Sequence, residues 1–259
     1  MQKTMMENNK KGHSVKRFSA YRIIEHGLHA VAFGILVVTG LAQRFHTFEL
    51  SQWMVLRLGG IDAARLIHRI SGFVLIVLIA QHVLTASLGI LLRKWQVSMV
   101  INKKDFTNAI DNLKYYFGLR NHPAQCDRYD YKQKFDYWGV LLSDVLMIVT
   151  GLILWFPTIS VRVFPGEFIP AANVIHTNQA LLLFLVIVIW HIYNAILSPE
   201  IFPLDTSIFT GMISRKRMVQ EHLLELARRE GVGVKKILEH QRTAGGGKER
   251  DAVVPVADN

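Results

Sequence analysis

Four histidines lie at matched intervals in two apolar stretches of this 259-residue chain. His68-Arg69-Ile70-Ser71-Gly72 is followed by nine residues and then His82, and His176 is followed fifteen residues later by His191. An ionisable side chain inside a lipid-facing helix is costly, and its default reading is functional. At 100° per residue, fourteen residues return the second imidazole to within about 40° of the first, about 21 Å further along the axis. Fifteen residues give about 60° and about 22 Å. Each helix therefore presents two imidazoles towards one side at two depths. Two such helices side by side offer opposed imidazoles at two levels, as the axial ligation of two stacked haems requires. The bland alternative, four histidines each bonded to a neighbouring helix, needs four independent coincidences of depth. Zinc and copper sites converge their ligands on one point, not on two levels.

The elements that must carry these histidines are long enough to cross a bilayer. Between Arg69 and Arg93, twenty-three residues run without a charge, and about twenty apolar residues span the hydrocarbon core as a helix. Four such blocks occur, at Ile23–Gln43, His68–Leu92, Tyr137–Pro157 and Ala172–Leu197. With 51% of the residues hydrophobic and gathered into these blocks, the bilayer takes the place of a water-excluded core. The expected fold class is all-α integral membrane, a four-transmembrane-helix bundle enclosing two haems.

The net charge of +10 does not point to nucleic acid, because the basic residues fall mainly between the apolar blocks. Along the lead-in, the three connections and the tail, Lys and Arg number six, three, nine, one and ten. That alternation places both termini in the cytoplasm. Residues 1–22 are expected to form a cytoplasmic lead-in and not a cleaved signal peptide, lacking an apolar core and cleavage site. Residues 23–197 form the membrane domain, and 198–244 a cytoplasmic helical tail with a mixed-charge helix at about Arg215–His240. Residues 245–259, opening on Gly245-Gly246-Gly247, are expected to be disordered. The single Cys126 excludes an internal disulfide or a cysteine-ligated cluster within this chain.

Four further features stand out. His26 and His29 share one helix face near the start of the first block. Asp144 lies well inside the third block, and either relays protons or pairs with a group on a neighbouring helix. In the longest connection, Phe106, Ile110, Leu113 and Phe117 recur at helical spacing, which suits a helix on the membrane surface or against a partner. Glycines at 34, 40, 72, 139 and 151 allow close packing of helices or of a haem edge, and most are expected to serve helix–helix contact.

An ordered set of residues carries a family resemblance from about residue 18 to 228. It comprises Arg22-x-x-x-His26 with Phe33 and Thr39-Gly40, then Ala64-Arg65-x-x-His68-Arg69. Tyr129-Asp130-Tyr131-Lys132-Gln133-Lys134 precedes Tyr137-Trp138. The set ends with His191-Ile192-Tyr193-Asn194, Pro199-Glu200-x-Phe202-Pro203 and Thr210-Gly211. The sequence resembles the membrane cytochrome b (gamma) subunits of respiratory formate dehydrogenases and nickel–iron hydrogenases, and the bacterial cytochrome b/b6-domain proteins related to them.

That resemblance implies two bis-histidine b-type haems wiring a quinone or menaquinone site to an attached redox subunit. The outer haem is implied to use His68 and His176, and the inner one His26 and His191. His82 departs from this pattern. The spacings of fourteen and fifteen are instead similar to cytochrome b of quinol-oxidising bc and bf complexes, which makes His82 the partner of His191. The partner is open between His26 and His82, with the first-block pattern favouring His26. The family binds its quinone on the cytoplasmic side, at the turn Tyr129–Lys134. There this chain has Asp130 for the family's asparagine and Lys132 for its glycine, with Gln133 beside them. Arg65 and Arg69 are nominated as partners of haem propionates.

The expected function is an electron-transfer subunit of a quinone-linked respiratory complex in the bacterial inner membrane, not a stand-alone enzyme. Its expected partners are lipid, quinone and a periplasmic iron–sulfur or multihaem redox subunit, with no nucleic acid. A haem-free membrane anchor for a catalytic subunit is the alternative.

Overall fold

The computed structural model describes residues 14–93, 97–199 and 201–244, the last five as backbone only. Most of the lead-in, the tail expected to be disordered and Glu200 lie outside the described residues.

Among the described residues, four helices are long and apolar enough to cross a membrane. The first is α1 (Ala20–Arg44), whose N-cap Ser19 accepts a hydrogen bond from the Arg22 N–H. A short α2 (Glu49–Arg57) lies in the connection between the first two apolar blocks. Gly59 and Gly60, at φ of 96° and 98°, make the turn into α3 (Ile61–Leu91). Such angles are strained for any residue with a Cβ. The second span thus begins seven residues before His68, because helical structure does not stop where charged residues leave the bilayer.

The third span, α5 (Tyr131–Trp155), follows α4 (Lys103–Tyr116) and also starts early. Asp130 Oδ1 accepts from the Gln133 N–H at 2.7 Å, and Gln133 Oε1 from the Asp130 N–H at 3.3 Å. This reciprocal capping box fixes the N-terminus of α5. Pro157 opens α6 (Pro157–Val163), where a missing N–H costs nothing. The fourth span is α7 (Phe168–Val186), continued by two wider π-helical turns, Ile187–His191 and Tyr193–Leu197.

The remaining elements correct the expectation of a purely helical chain with one tail helix. A two-stranded antiparallel ribbon pairs β1 (Ser14–Lys16) with β2 (Met212–Ser214), which follows the short α8 (Ser207–Thr210). The tail is divided into α9 (Arg215–Glu221), α10 (Leu223–Glu230) and α11 (Val234–Ala244). His222, at φ −135°, breaks the first junction, and left-handed Gly231 caps the second.

By contact the chain forms two compact units. One comprises 18–96 and 138–210, holding α1–α3, most of α5 and α6–α8. Its helices expose rows of large apolar side chains, such as Ile24, Leu28, Val31 and Val38 on α1, as lipid-facing surfaces do. The other comprises the chain up to 17, 97–137 and the stretch from 211 on. It has a small apolar core of Ile213, Met218, Val219, Leu223, Leu226, Ile237 and Leu238. Beside that core, Glu225 receives hydrogen bonds from Arg17, Arg128 and Arg229.

Candidate functional site

The histidines meet in two pairs, each drawn from two spans. His68 on α3 faces His176 on α7 with ring centres 6.3 Å apart, and His26 on α1 faces His191 with ring centres 6.2 Å apart. His191 lies in a π-helical turn of the fourth span, a local widening that recurs at functional sites because it redirects a side chain. Bonds of about 2.0–2.1 Å from a metal to two opposed imidazole nitrogens leave the ring centres about 6 Å apart. Both separations fit an iron between the rings. Among the described residues, no three His, Cys, Asp or Glu side chains gather as a bare-ion site.

The His68–His176 level is built twice in the same way. Thr39 Oγ1 lies 2.8 Å from His68 Nδ1, and Thr150 Oγ1 lies 2.9 Å from His176 Nδ1. Each hydroxyl also bonds back along its own helix, to the carbonyls of Ile35 at 2.7 Å and Leu146 at 2.8 Å. The glycine after each threonine makes room for the ring. A Cβ at Gly40 would lie 3.3 Å from His68 Cε1, and one at Gly151 would lie 3.2 Å from His176 Cε1. These glycines serve imidazoles instead of backbone contact. A Cβ at Gly34, Gly72 or Gly139 would meet nothing within 4 Å, which corrects the expected helix-packing role. Sequence reasoning missed the two threonines as ring-holding groups. The available signal was the Thr-Gly pair repeated in the first and third spans.

The other nominated residues have these surroundings. His82 Nδ1 stands 3.1 Å from both Glu25 Oε1 and Arg22 Nη1, so it joins a charged cluster on α1. Asp144, fully buried, has Oδ2 3.3 Å from His29 Nε2, without hydrogen-bond alignment. The pair brings the third span onto the first. Arg69 stacks over the Trp155 ring at 5.9 Å, and Arg65 stands 3.6 Å from Asp62.

In the other unit, Asp130 and Gln133 cap α5 as described. Burial pushes the Asp130 carboxyl up, and the Gln133 N–H and the Lys132 ammonium draw it partly back. Lys134 Nζ is buried against both oxygens of Asp105 at 2.9 Å. Arg17 and Arg128 each stack on the Tyr129 ring, at 5.6 and 5.4 Å.

The model of the prokaryotic cytochrome b561 family matches residues 17–211, well over half of the chain. The chain belongs to that family. Among its relatives, the formate dehydrogenase cytochrome b556(fdo) subunit of Escherichia coli K12 is 28% identical over 187 residues, covering 72% of this chain and 81% of that protein. The nitrate-inducible formate dehydrogenase cytochrome b556(Fdn) subunit of the same organism is 22% identical over 170 residues, 66% of this chain and 72% of its own. The formate dehydrogenase cytochrome b556 subunit of Haemophilus influenzae is 27% identical over 172 residues, 66% of each chain. As a cytochrome b561 family member with four apolar spans, the chain is a multi-pass electron-transport protein of the bacterial inner membrane. The family's cofactor is b-type haem, and the paired imidazoles are a donor set of the kind such haem requires.

Proposed function

We propose that this cytochrome b carries electrons across the membrane between the quinone or menaquinone pool and a partner redox subunit, through two b-type haems. His68 and His176 hold one haem, and His26 and His191 hold the other. The observation that carries this reading is the pair of facing imidazoles at each of two levels, with ring centres 6.3 and 6.2 Å apart. When bound, haem b supplies one-electron oxidation and reduction.

The chain's own residues supply ligands, orientation and protons. Thr39 and Thr150 fix the rings of His68 and His176, while Arg65 and Arg69 stand next to that level to receive propionates. The turn Tyr129–Lys134, with Asp130, Lys132 and Gln133, is the quinone-facing segment, as the family resemblance suggests. Asp130 is its proton donor: a carboxyl pushed up by burial holds a proton closer to neutrality. Asp144, beside His29, is a second relay candidate.

Both termini lie in the cytoplasm, which sets the His68–His176 level towards the periplasm, where an iron–sulfur or multihaem subunit docks. Similarity to formate dehydrogenase cytochrome subunits supports a catalytic redox partner of that kind.

Haem quantification and reduced-minus-oxidised spectra of the purified chain test the reading. The expected content is about two low-spin b haems per chain. His176→Ala and His26→Ala each remove one haem, while His82→Ala keeps both and slows quinone turnover. A colourless wild-type protein reduces the reading to a haem-free anchor. Loss of a haem in His82→Ala, alongside full retention in His26→Ala, moves the ligand to the other helix.

A further inference from the structure

The helix α4 is built inside out. Its buried side chains are polar: Asp105, Asn108 and Asn112. Asp105 binds Lys134, Asn108 Nδ2 reaches Cys126 Sγ at 3.8 Å, and Asn112 Oδ1 accepts from the Ala124 N–H at 2.7 Å. Its apolar stripe points away from the protein, with Phe106 67%, Ile110 53%, Leu113 56% and Phe117 73% exposed. Tyr116 and Leu119 continue the exposed apolar surface. At 100° per residue the stripe centres about 140° from the buried polar face. Lys103 and Lys114, both exposed, fall within about 70° of the stripe's centre, along one edge.

A helix in water hides its apolar stripe against its own protein. One that lies in a lipid interface keeps the stripe outward, bordered by lysines whose stems run along the acyl boundary to the headgroups. Chain connectivity decides between lipid and another occupant. The segment bearing α4 leaves one membrane-spanning helix at Leu91 and enters the next at Tyr131, so both its ends are at a bilayer face. From Arg93 to Lys134 it carries nine Lys and Arg against four acids, a balance that anionic headgroups attract.

We propose that α4 lies along the anionic leaflet, with Phe106, Ile110, Leu113 and Phe117 at the headgroup–acyl boundary and Lys103 and Lys114 on lipid phosphates. This contact stands independently of the haem and quinone reading. The buried Asp105–Lys134 pair ties the helix to the first turn of α5, so the lipid surface also steadies the start of that span.

The test uses the full chain in vesicles of phosphatidylethanolamine and phosphatidylglycerol. Cys126 is buried, and its thiol is pushed up to about 12 by that burial. Single cysteines introduced as Ile110→Cys, Leu113→Cys and Lys104→Cys therefore take a nitroxide label selectively. The labels at 110 and 113 are expected to collide with oxygen and to be shielded from a water-soluble nickel chelate, with the reverse at 104. Free access of the chelate to 110 overturns the proposal, and so does shielding of 110 from both quenchers, which is the signature of a protein cover. Adding Lys103→Gln and Lys114→Gln should raise chelate access at 110 in these vesicles and leave it unchanged in phosphatidylcholine. Equal effects in both lipids overturn the anionic part of the proposal.

Discussion

A threonine hydroxyl has one hydrogen to give. Thr39 gives it to the Ile35 carbonyl and Thr150 to the Leu146 carbonyl, so each oxygen can only accept from the neighbouring histidine. Nδ1 of His68 and of His176 therefore carries the proton, and Nε2 is left with its lone pair for a metal. An acceptor on Nδ1–H makes the imidazole a stronger donor to the metal and favours oxidised iron. Under the proposed two-haem assignment, Thr39→Val and Thr150→Val should thus raise the midpoint potential of the haem proposed at His68 and His176 and leave the other component of a redox titration in place. Thr39→Ser, which keeps the hydroxyl, should restore the original value. A shift of both components, or of neither, contradicts this assignment. His222 offers a second residue-scale prediction, this time in pH. Burial, and then the nearby Arg17 charge, lower its pKa from 6.5 to about 4, while Nδ1–H donates to the Asp127 carbonyl at 2.8 Å. Above pH 6.5 the ring is neutral folded or unfolded, so its contribution to stability is fully present. As the pH falls from 6.5 towards 4, the unfolded chain takes a proton that the folded one refuses, and that stability is lost. Protection factors at Leu223–Leu226, taken relative to the intrinsic exchange rate at each pH, should fall in that window for the wild type, and less so for His222→Gln.

Elements were legible in the sequence where lipid dictates them. The apolar blocks reported four spans because a bilayer tolerates little else, yet all four helix starts came earlier than expected, since caps such as the Asp130–Gln133 box lie outside the apolar run. The histidine geometry was only half legible. Ideal 100° spacing treats every helix as regular and gives no information on rotation about its axis. The π-helical turns at Ile187–His191, and the Arg22 and Glu25 side chains that engage His82, are tertiary facts with no periodic signature. Nor did any pattern predict that Asp144 would stand beside His29. The inverted α4 shows the reverse case: its apolar stripe was readable, but the polar residues opposite gained meaning only with their partners. Lys134 and Asp105 are nearly inaccessible, and breaking such a pair strands a buried charge at a cost of about 3–5 kcal/mol. Lys134→Met should therefore make residues 97–137 markedly more sensitive to protease. The double variant with Asp105→Leu should recover most of the resistance, because neither charge then remains.

At the scale of the whole molecule, the proposed topology predicts that a reporter fused after Asn259 and one inserted at Gly166 fall on opposite sides of the membrane. A phosphatase active at both positions, or at the C-terminus alone, contradicts it. The unit that holds Glu225 was not visible in the sequence, because it joins residues about 200 positions apart: β1 at Ser14–Lys16 and β2 at Met212–Ser214. That distance has a consequence in time. At about 5–20 residues per second, the ribosome makes the second strand roughly 10–40 s after the first. Throughout that interval the first strand has no partner edge, while the apolar spans are already entering the bilayer. Arg17, the next residue along, likewise waits for Glu225, its buried counter-ion. A polypeptide that ends between Leu197 and Met212 has all four membrane helices but lacks the partners of this arginine and this strand edge. The ribbon can therefore close only on chains translated as far as their second strand.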